Sequence, residues 1–225
     1  MSKHLDLGCG SKPRNPLNKK HLYGIDIVNP NNITNKSFVY KKKNLIKYSI
    51  PFNDNTFDSV SAFDFIEHIP RIWIKNNGQI DFTFIRLMNE IYRVLKPNGI
   101  FISSTPVYPF DQIFEDPTHV NFITQNTVKY FCGENPLGRM YGFRGDFKIL
   151  ENKLIPGRLF DKKFKTKFQK LLYIFKKTLK RERTHVLWML QANKHDVKKN
   201  ILKKWPSVWV VYQGVQDGQK LLDIK

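Results

Sequence analysis

Leu5-Asp6-Leu7-Gly8-Cys9-Gly10 decides the fold: a short apolar run enters a glycine turn with an acidic residue set just ahead of it. Glycine at the end of a strand lets the backbone approach a ligand closely, because no Cβ intervenes. Where a helix follows, its first amides face whatever sits in the turn. A dinucleotide site would use Gly-x-Gly-x-x-Gly, but Ser11, Lys12, Pro13 and Arg14 follow Gly10, with no third glycine. Alone, Gly8-x-Gly10 fits a nucleotide-binding turn and a bare tight turn equally.

The flanking pattern narrows the choice. Residues 4–7 read as a strand, and residues 21–27 as a second strand ending near Asp26, closed by Asn29-Pro30-Asn31-Asn32. Residues 38–42 form a third, edge-like candidate, and residues 57–63 alternate well enough for another strand. Phe84, Ile85, Met88, Ile91, Tyr92 and Leu95 share one helical face within residues 82–95. Lys96-Pro97-Asn98-Gly99 stops that helix, and residues 100–104 read as a buried strand. The alternation predicts an α/β chain with a Rossmann-like, doubly wound, mostly parallel sheet. Such sheets bind ligands at the carboxyl ends of their strands, near the switch in strand order. Asp26, 20 residues beyond Asp6, can there accept hydrogen bonds from both hydroxyls of a ribose. It can equally initiate the turn before Asn29-Pro30.

Residues 105–145 are rich in Pro, Gly and aromatics, with a short helix expected at 124–131; residues 147–154 and 185–191 read as a final pair of strands. A basic helical insertion at 161–183 separates that pair. The expected organisation is one domain over residues 1–194, including the insertion, and a C-terminal extension over 195–225.

Four segments in order resemble class I S-adenosylmethionine-dependent methyltransferases, in the branch grouped as type 11. They are residues 5–10, Ile50-Pro51-Phe52-Asn53-Asp54-Asn55-Thr56-Phe57-Asp58, Phe65-Ile66-Glu67-His68-Ile69-Pro70, and Glu90-Ile91-Tyr92-Arg93-Val94-Leu95-Lys96-Pro97-Asn98-Gly99. The resemblance implies methyl transfer with S-adenosylmethionine as cofactor. It implies that Gly8, Cys9 and Gly10 approach the methionine part, with Asp6 near its ammonium group and Asp26 on the ribose. Asn44 and Leu45 stand where the family meets the adenine, and Phe63 where it lines the methionine end. The third glycine of the family's loop and the helix that usually precedes the first strand are both missing.

A sulfonium methyl donor is intrinsically activated, so the protein mainly aligns the acceptor, and an oxygen acceptor profits from a general base. His119, in Asp116-Pro117-Thr118-His119, is the candidate base, with Asp116 expected on its other ring nitrogen. The alternative is a loop histidine capping a turn. Glu67-His68 reads as a packing and capping pair. The histidines and cysteines have no metal-ligand spacing, so no metal is expected.

The formal net charge of +19 points to an anionic partner, or to lysines spread over a solvated surface. In residues 161–183, Phe164, Phe168, Leu171, Leu172, Phe175 and Leu179 share a helical face among Lys and Arg. Such a helix either packs on the sheet or lies in an anionic membrane interface. No run of about 18 apolar residues predicts a membrane span. With no leader-like segment and two cysteines outside any disulfide framework, the expectation is a cytoplasmic protein, peripheral at the inner membrane face if the helix anchors it. The acceptor expected is a small molecule, a sugar or a lipid-linked glycan, methylated on oxygen. RNA is a lesser alternative, since no RNA-binding module accompanies the charge. A nicotinamide-dependent oxidoreductase and a non-catalytic basic module are the readings from other classes.

Overall fold

The computed structural model describes residues 1–28, 38–157, 159–160, 162, 164–179 and 182–194. The expected turn at 29–32 and the extension at 195–225 lie outside the described residues. β1 (Lys3–Leu7) runs parallel between β2 (His21–Asp26) and β4 (Phe57–Phe63), and β3 (Phe38–Lys42) forms the edge beyond β2. A two-stranded hairpin, β5 (Trp73–Ile74) and β6 (Ile80–Asp81), stands apart from the main sheet. β7 (Leu95–Pro106) pairs parallel with β4, and β8 (Phe147–Ile155) and β9 (His185–Ala192) complete the order β3-β2-β1-β4-β7-β9-β8. β9 is antiparallel to both of its neighbours. The second half of a dinucleotide-binding sheet would continue in parallel, so this order keeps only one nucleotide-binding half. Strand order reverses between β1 and β4, and the crevice above their carboxyl ends is where a ligand belongs.

Period-2 alternation sends neighbouring residues to opposite faces. Leu5, Leu7, Val60, Phe101 and Trp188 face α1 (Thr83–Val94), whose Phe84, Leu87, Met88 and Ile91 cover them. A short helix, α2 (Gln112–Glu115), follows β7, and on the other face Phe63, Ile102, Ile155 and Leu187 form a second core, partly covered by Tyr173 and Ile174 of α3 (Lys167–Leu179). Beside it that face turns polar: His4, Asp6, Ser59 and Ser61 are fully buried. His4 Nδ1 lies 2.7 Å from Ser59 Oγ and its Nε2 2.9 Å from Ser61 Oγ, while Ser61 Oγ donates to Asp6 Oδ1 at 2.5 Å.

Three sequence expectations change. No helix follows the glycine turn: residues 10–20 are turns and extended chain. Pro13 and Pro16 remove amide donors and push their predecessors out of the helical region. The turn at Lys96–Gly99 is a bulge inside β7, where the register jumps from Phe57 opposite Leu95 to Ser59 opposite Ile100. The basic helix spans only 13 residues, and of the predicted apolar face only Phe164, just ahead of it, packs against the second core. Phe168, Leu171, Phe175 and Leu179 are 71%, 64%, 58% and 70% exposed.

Two of the family-like segments meet each other. Arg93 donates to the carbonyls of Ile50 and Phe52 and to Asp54 Oδ1, each at 2.8 Å, and pairs with Glu90. Glu90 in turn accepts the Ile50 amide at 2.9 Å. Helix α1 thereby clamps the loop that delivers the chain into β4.

Candidate active site

A cavity of about 420 Å³ opens at the carboxyl ends of β1, β2 and β4, within the range of small-molecule sites. Of the cofactor positions expected from sequence, it brings together Gly8, Asp26, Asn44 and Leu45. Ile25, Ile27, Lys43, Ile46, Asp64, Phe65, His68, Ile69 and Thr118 complete the lining. Gly8 has φ +64°, and a Cβ on it would lie 2.4 Å from the Phe65 ring. Gly10, at φ +52°, faces open space.

The loop is shaped from within. Gly8 and Cys9 donate their amides to the Ile25 carbonyl at 2.9 and 3.2 Å, and Gly10 donates to Asp26 Oδ2 at 2.9 Å. Its amides are therefore committed, and the turn meets a ligand with its bare Cα surface. Asp26 Oδ1 also accepts the Val28 amide at 3.1 Å, an Asx turn. A carboxylate has about four acceptor sites and these bonds use two, so the Asx turn leaves acceptor capacity on Asp26 for a ligand. Asn44 Oδ1 accepts the Ile46 amide at 2.9 Å, which orients it and leaves it a second lone pair.

Asp6, Cys9 and Phe63 depart from their expected places. Asp6 is fully buried, with Oδ1 on Ser61 and Oδ2 accepting the Arg14 amide at 2.8 Å, so it organises the loop. Burial pushes its carboxyl up to about 6, against the pull of Arg14. Cys9 is 4% exposed and points at Gly24, where a Cβ would lie 2.6 Å from its sulfur; burial pushes its thiol up to about 12. Phe63 sits in the second core against Phe160, ring centroids 4.6 Å apart. The Arg14 guanidinium lies 4.7 Å above its ring and donates to the Phe63 carbonyl. At the end of β4 the alternation sends that side chain away from the cavity. Arg14 ties the glycine loop to β4, a role that nothing in its sequence spacing marks.

His68 lines the cavity at one rim, and His119, outside the lining itself, meets it with ring centroids 4.9 Å apart. Asp116 does not hold His119. His119 Nδ1 lies 3.0 Å from the Ile113 carbonyl, while Asp116 Oδ1 accepts the Thr118 amide at 2.8 Å and its hydroxyl at 2.6 Å. The tight Asp116-Pro117-Thr118 turn folds the carboxylate onto its own backbone, and those two donors hold Asp116 below the usual carboxylate range. Thr118 Oγ1, its proton given to Asp116, accepts from His68 Nδ1 at 3.0 Å. Asp116 thus orients His68 through Thr118. Glu67, next to His68, is fully buried, and burial pushes its carboxyl up to about 8.

A family model described as a methyltransferase domain matches residues 5–103. No curated protein matches the chain significantly. Among solved structures, a chain from the complex between the Haloferax volcanii Trm112 methyltransferase activator and a methyltransferase aligns at 15% identity and TM-score 0.55, over 86% of this chain and 83% of that one. A SAM dependent methyltransferase from Archaeoglobus fulgidus aligns at 18% identity and TM-score 0.48, over 85% and 86%. The N-methyltransferase NodS from Bradyrhizobium japonicum WM9 aligns at 10% and 0.49, over 86% of each. The Haloferax likeness supports the fold alone. Residues 5–103 thus carry a methyltransferase domain of the kind that uses S-adenosylmethionine, on a Rossmann-like sheet. The matching model, of the type 11 branch, spans a little under half of the chain. The cavity suits that cofactor, with a Cβ-free turn at Gly8 and Gly10 and a carboxylate at Asp26.

Proposed function

We propose that the protein methylates a hydroxyl oxygen of a small molecule, a sugar or a lipid-linked glycan. The observation that carries this reading is the pair of imidazoles, His68 and His119, at the cavity rim, each with Nδ1 on an oxygen acceptor. A ring whose Nδ1–H is so held presents a lone pair at Nε2, which an oxygen acceptor needs and an already nucleophilic amine does not.

The bound cofactor supplies an activated methyl group on a sulfonium. The chain's own residues hold and orient. Asp26 takes the ribose hydroxyls, Asn44 Oδ1 accepts from the adenine amino group, and Leu45 walls the ring. His119 removes the acceptor proton at Nε2, its ring steadied by the Ile113 carbonyl. Exposed Phe114 and Phe122, centroids 5.2 Å apart, flank this histidine loop and offer apolar faces to a sugar ring.

Within that class, α3 favours an acceptor at a membrane. Its exposed apolar stripe lies among Lys167, Lys170, Lys176 and Lys177, with no acidic residue between Lys162 and Leu179. That is the composition of an interfacial helix on anionic lipid.

The test is transfer of labelled methyl groups to a panel of nucleotide sugars, lipid-linked glycan extract and RNA. His119→Ala should keep S-adenosylhomocysteine affinity in calorimetry while transfer to the hydroxyl acceptor falls roughly 10²–10⁴-fold. Label entering RNA alone, or undiminished turnover by the variant, overturns the reading.

A further inference from the structure

Glu67, His68 and His119 bring one carboxylate oxygen and two ring nitrogens within 4.8 Å of one another at the edge of the cofactor cavity. Sequence spacing hides this set, since His119 joins Glu67 and His68 only after β7 has returned the chain. The carboxylate is the informative member. Oε2 of Glu67 accepts from Thr105 Oγ1 at 2.8 Å, while Oε1 is buried with no hydrogen-bond partner among the described residues. A buried acceptor left so costs about 1–3 kcal/mol, and a cation is the ligand that would satisfy it. The two imidazoles stand as metal-binding histidines do. His119 has its Nδ1 on the Ile113 carbonyl, and His68 has its Nδ1 on Thr118, which Asp116 anchors. Such outer contacts fix the tautomer that leaves Nε2 for a metal.

We infer that Glu67, His68 and His119 form a site for one divalent transition-metal ion at the rim of the cofactor cavity. Donors around a metal with bonds of about 2.1 Å lie roughly 3.4 Å apart. The donors lie within 4.8 Å of one another, so binding draws them together by up to about 1.4 Å. Two imidazoles and one carboxylate select zinc, cobalt, iron or manganese over magnesium, which prefers oxygen donors. Three protein ligands leave coordination positions open on the side of His68 and Thr118, both of which line the cavity. An acceptor hydroxyl held there would be lowered in pKa, losing its proton to solvent as its C–O bond forms and the C–S bond breaks toward sulfur. That use of the ion rests on the hydroxyl-methylation reading above; the binding of the ion does not.

The full chain, stripped of metal with a chelator, is titrated with Co²⁺ and followed by its visible ligand-field absorption, and with Zn²⁺ and Mg²⁺ by calorimetry. One equivalent of Co²⁺ or Zn²⁺ should bind, with Mg²⁺ much weaker. His68→Ala/His119→Ala, checked for folding by circular dichroism, should lose at least roughly 100-fold in affinity. Glu67→Gln, which can still accept from Thr105, should keep its melting behaviour and shift the Co²⁺ spectrum. No binding by the wild type, or equal binding and an equal spectrum in the folded double variant, overturns the site. Failure to bind metal leaves His119 free to act as the proton acceptor of the reading above, whereas binding assigns its Nε2 to the ion, which then activates the hydroxyl in its place.

Discussion

Gly8 carries two constraints at once, a left-handed backbone at φ +64° and a Cβ position 2.4 Å from the Phe65 ring. Gly8→Ala must strain the turn and displace an aromatic that lines the same cavity. The expected cost is about 1–3 kcal/mol of stability by urea denaturation, with S-adenosylhomocysteine binding weakened more than tenfold. An alanine variant with unchanged affinity would show that the loop can shift freely. Arg93 is a residue whose importance is geometric. Its fork reaches two carbonyls and a carboxylate that a lysine cannot span together. Arg93→Lys should cost about 1–2 kcal/mol and leave cofactor affinity nearly intact, since none of its partners lines the cavity. The Glu90–Arg93 and Ile50–Asp54 segments were recognisable in sequence as a family signature. That they recur together is explained by their contact. The polar atoms of one satisfy the backbone of the other.

Among the elements, α3 is the one whose sequence pattern and packing diverge. Its periodic stripe predicts an amphipathic helix, and a helix forms. Which way the stripe turns is decided by which residues the second core can accept, and that core takes Tyr173 and Ile174. Phe168, Leu171, Phe175 and Leu179 are left outward beside a row of lysines. Flotation with vesicles containing an anionic phospholipid should recover the wild type, and neutral vesicles should recover little. Phe168→Ser/Phe175→Ser should abolish recovery while methyl transfer to a soluble acceptor persists; equal flotation of the variant would dismiss the stripe as an anchor. The loop after Gly10 is the opposite case. Its prolines argue against a helix, and the glycine turn before it predicts one. The prolines win, and Asp6 and Arg14 supply the bonds a helix would have made.

At the scale of the molecule, one face of the sheet carries buried polar residues where a helix would ordinarily bring apolar ones. His4 is fully buried, and burial pulls its imidazole down from 6.5 to about 4. Below pH 6.5 the unfolded chain binds a proton at this residue that the folded chain refuses until about pH 4. Stability from His4 is therefore fully present above pH 6.5 and lost as the pH falls toward 4. Asp6, raised to about 6, acts in the opposite sense over an overlapping range. Comparison with His4→Asn isolates the histidine: the wild type's advantage should shrink by about 2–3 kcal/mol between pH 7 and pH 4 in denaturant titrations. An advantage constant across that range would mean that His4 titrates normally. The seven strands of the main sheet, α1, the glycine turn and the cofactor class were legible from sequence, because each rests on local periodicity or on a contiguous motif; the small β5–β6 hairpin was not. Gly8, Asp26, Asn44 and Leu45 reach the cavity because each stands at or just beyond the carboxyl end of its strand. Asp6, Cys9 and Phe63 lie equally near such ends but face away, and the side they take depends on the pleat and on the partners that claim them. The tertiary structure alone inserted β9 antiparallel between β7 and β8 and gathered Glu67, His68 and His119. Those outcomes depend on distances between residues far apart in the chain, and such distances exist only once the sheet has closed.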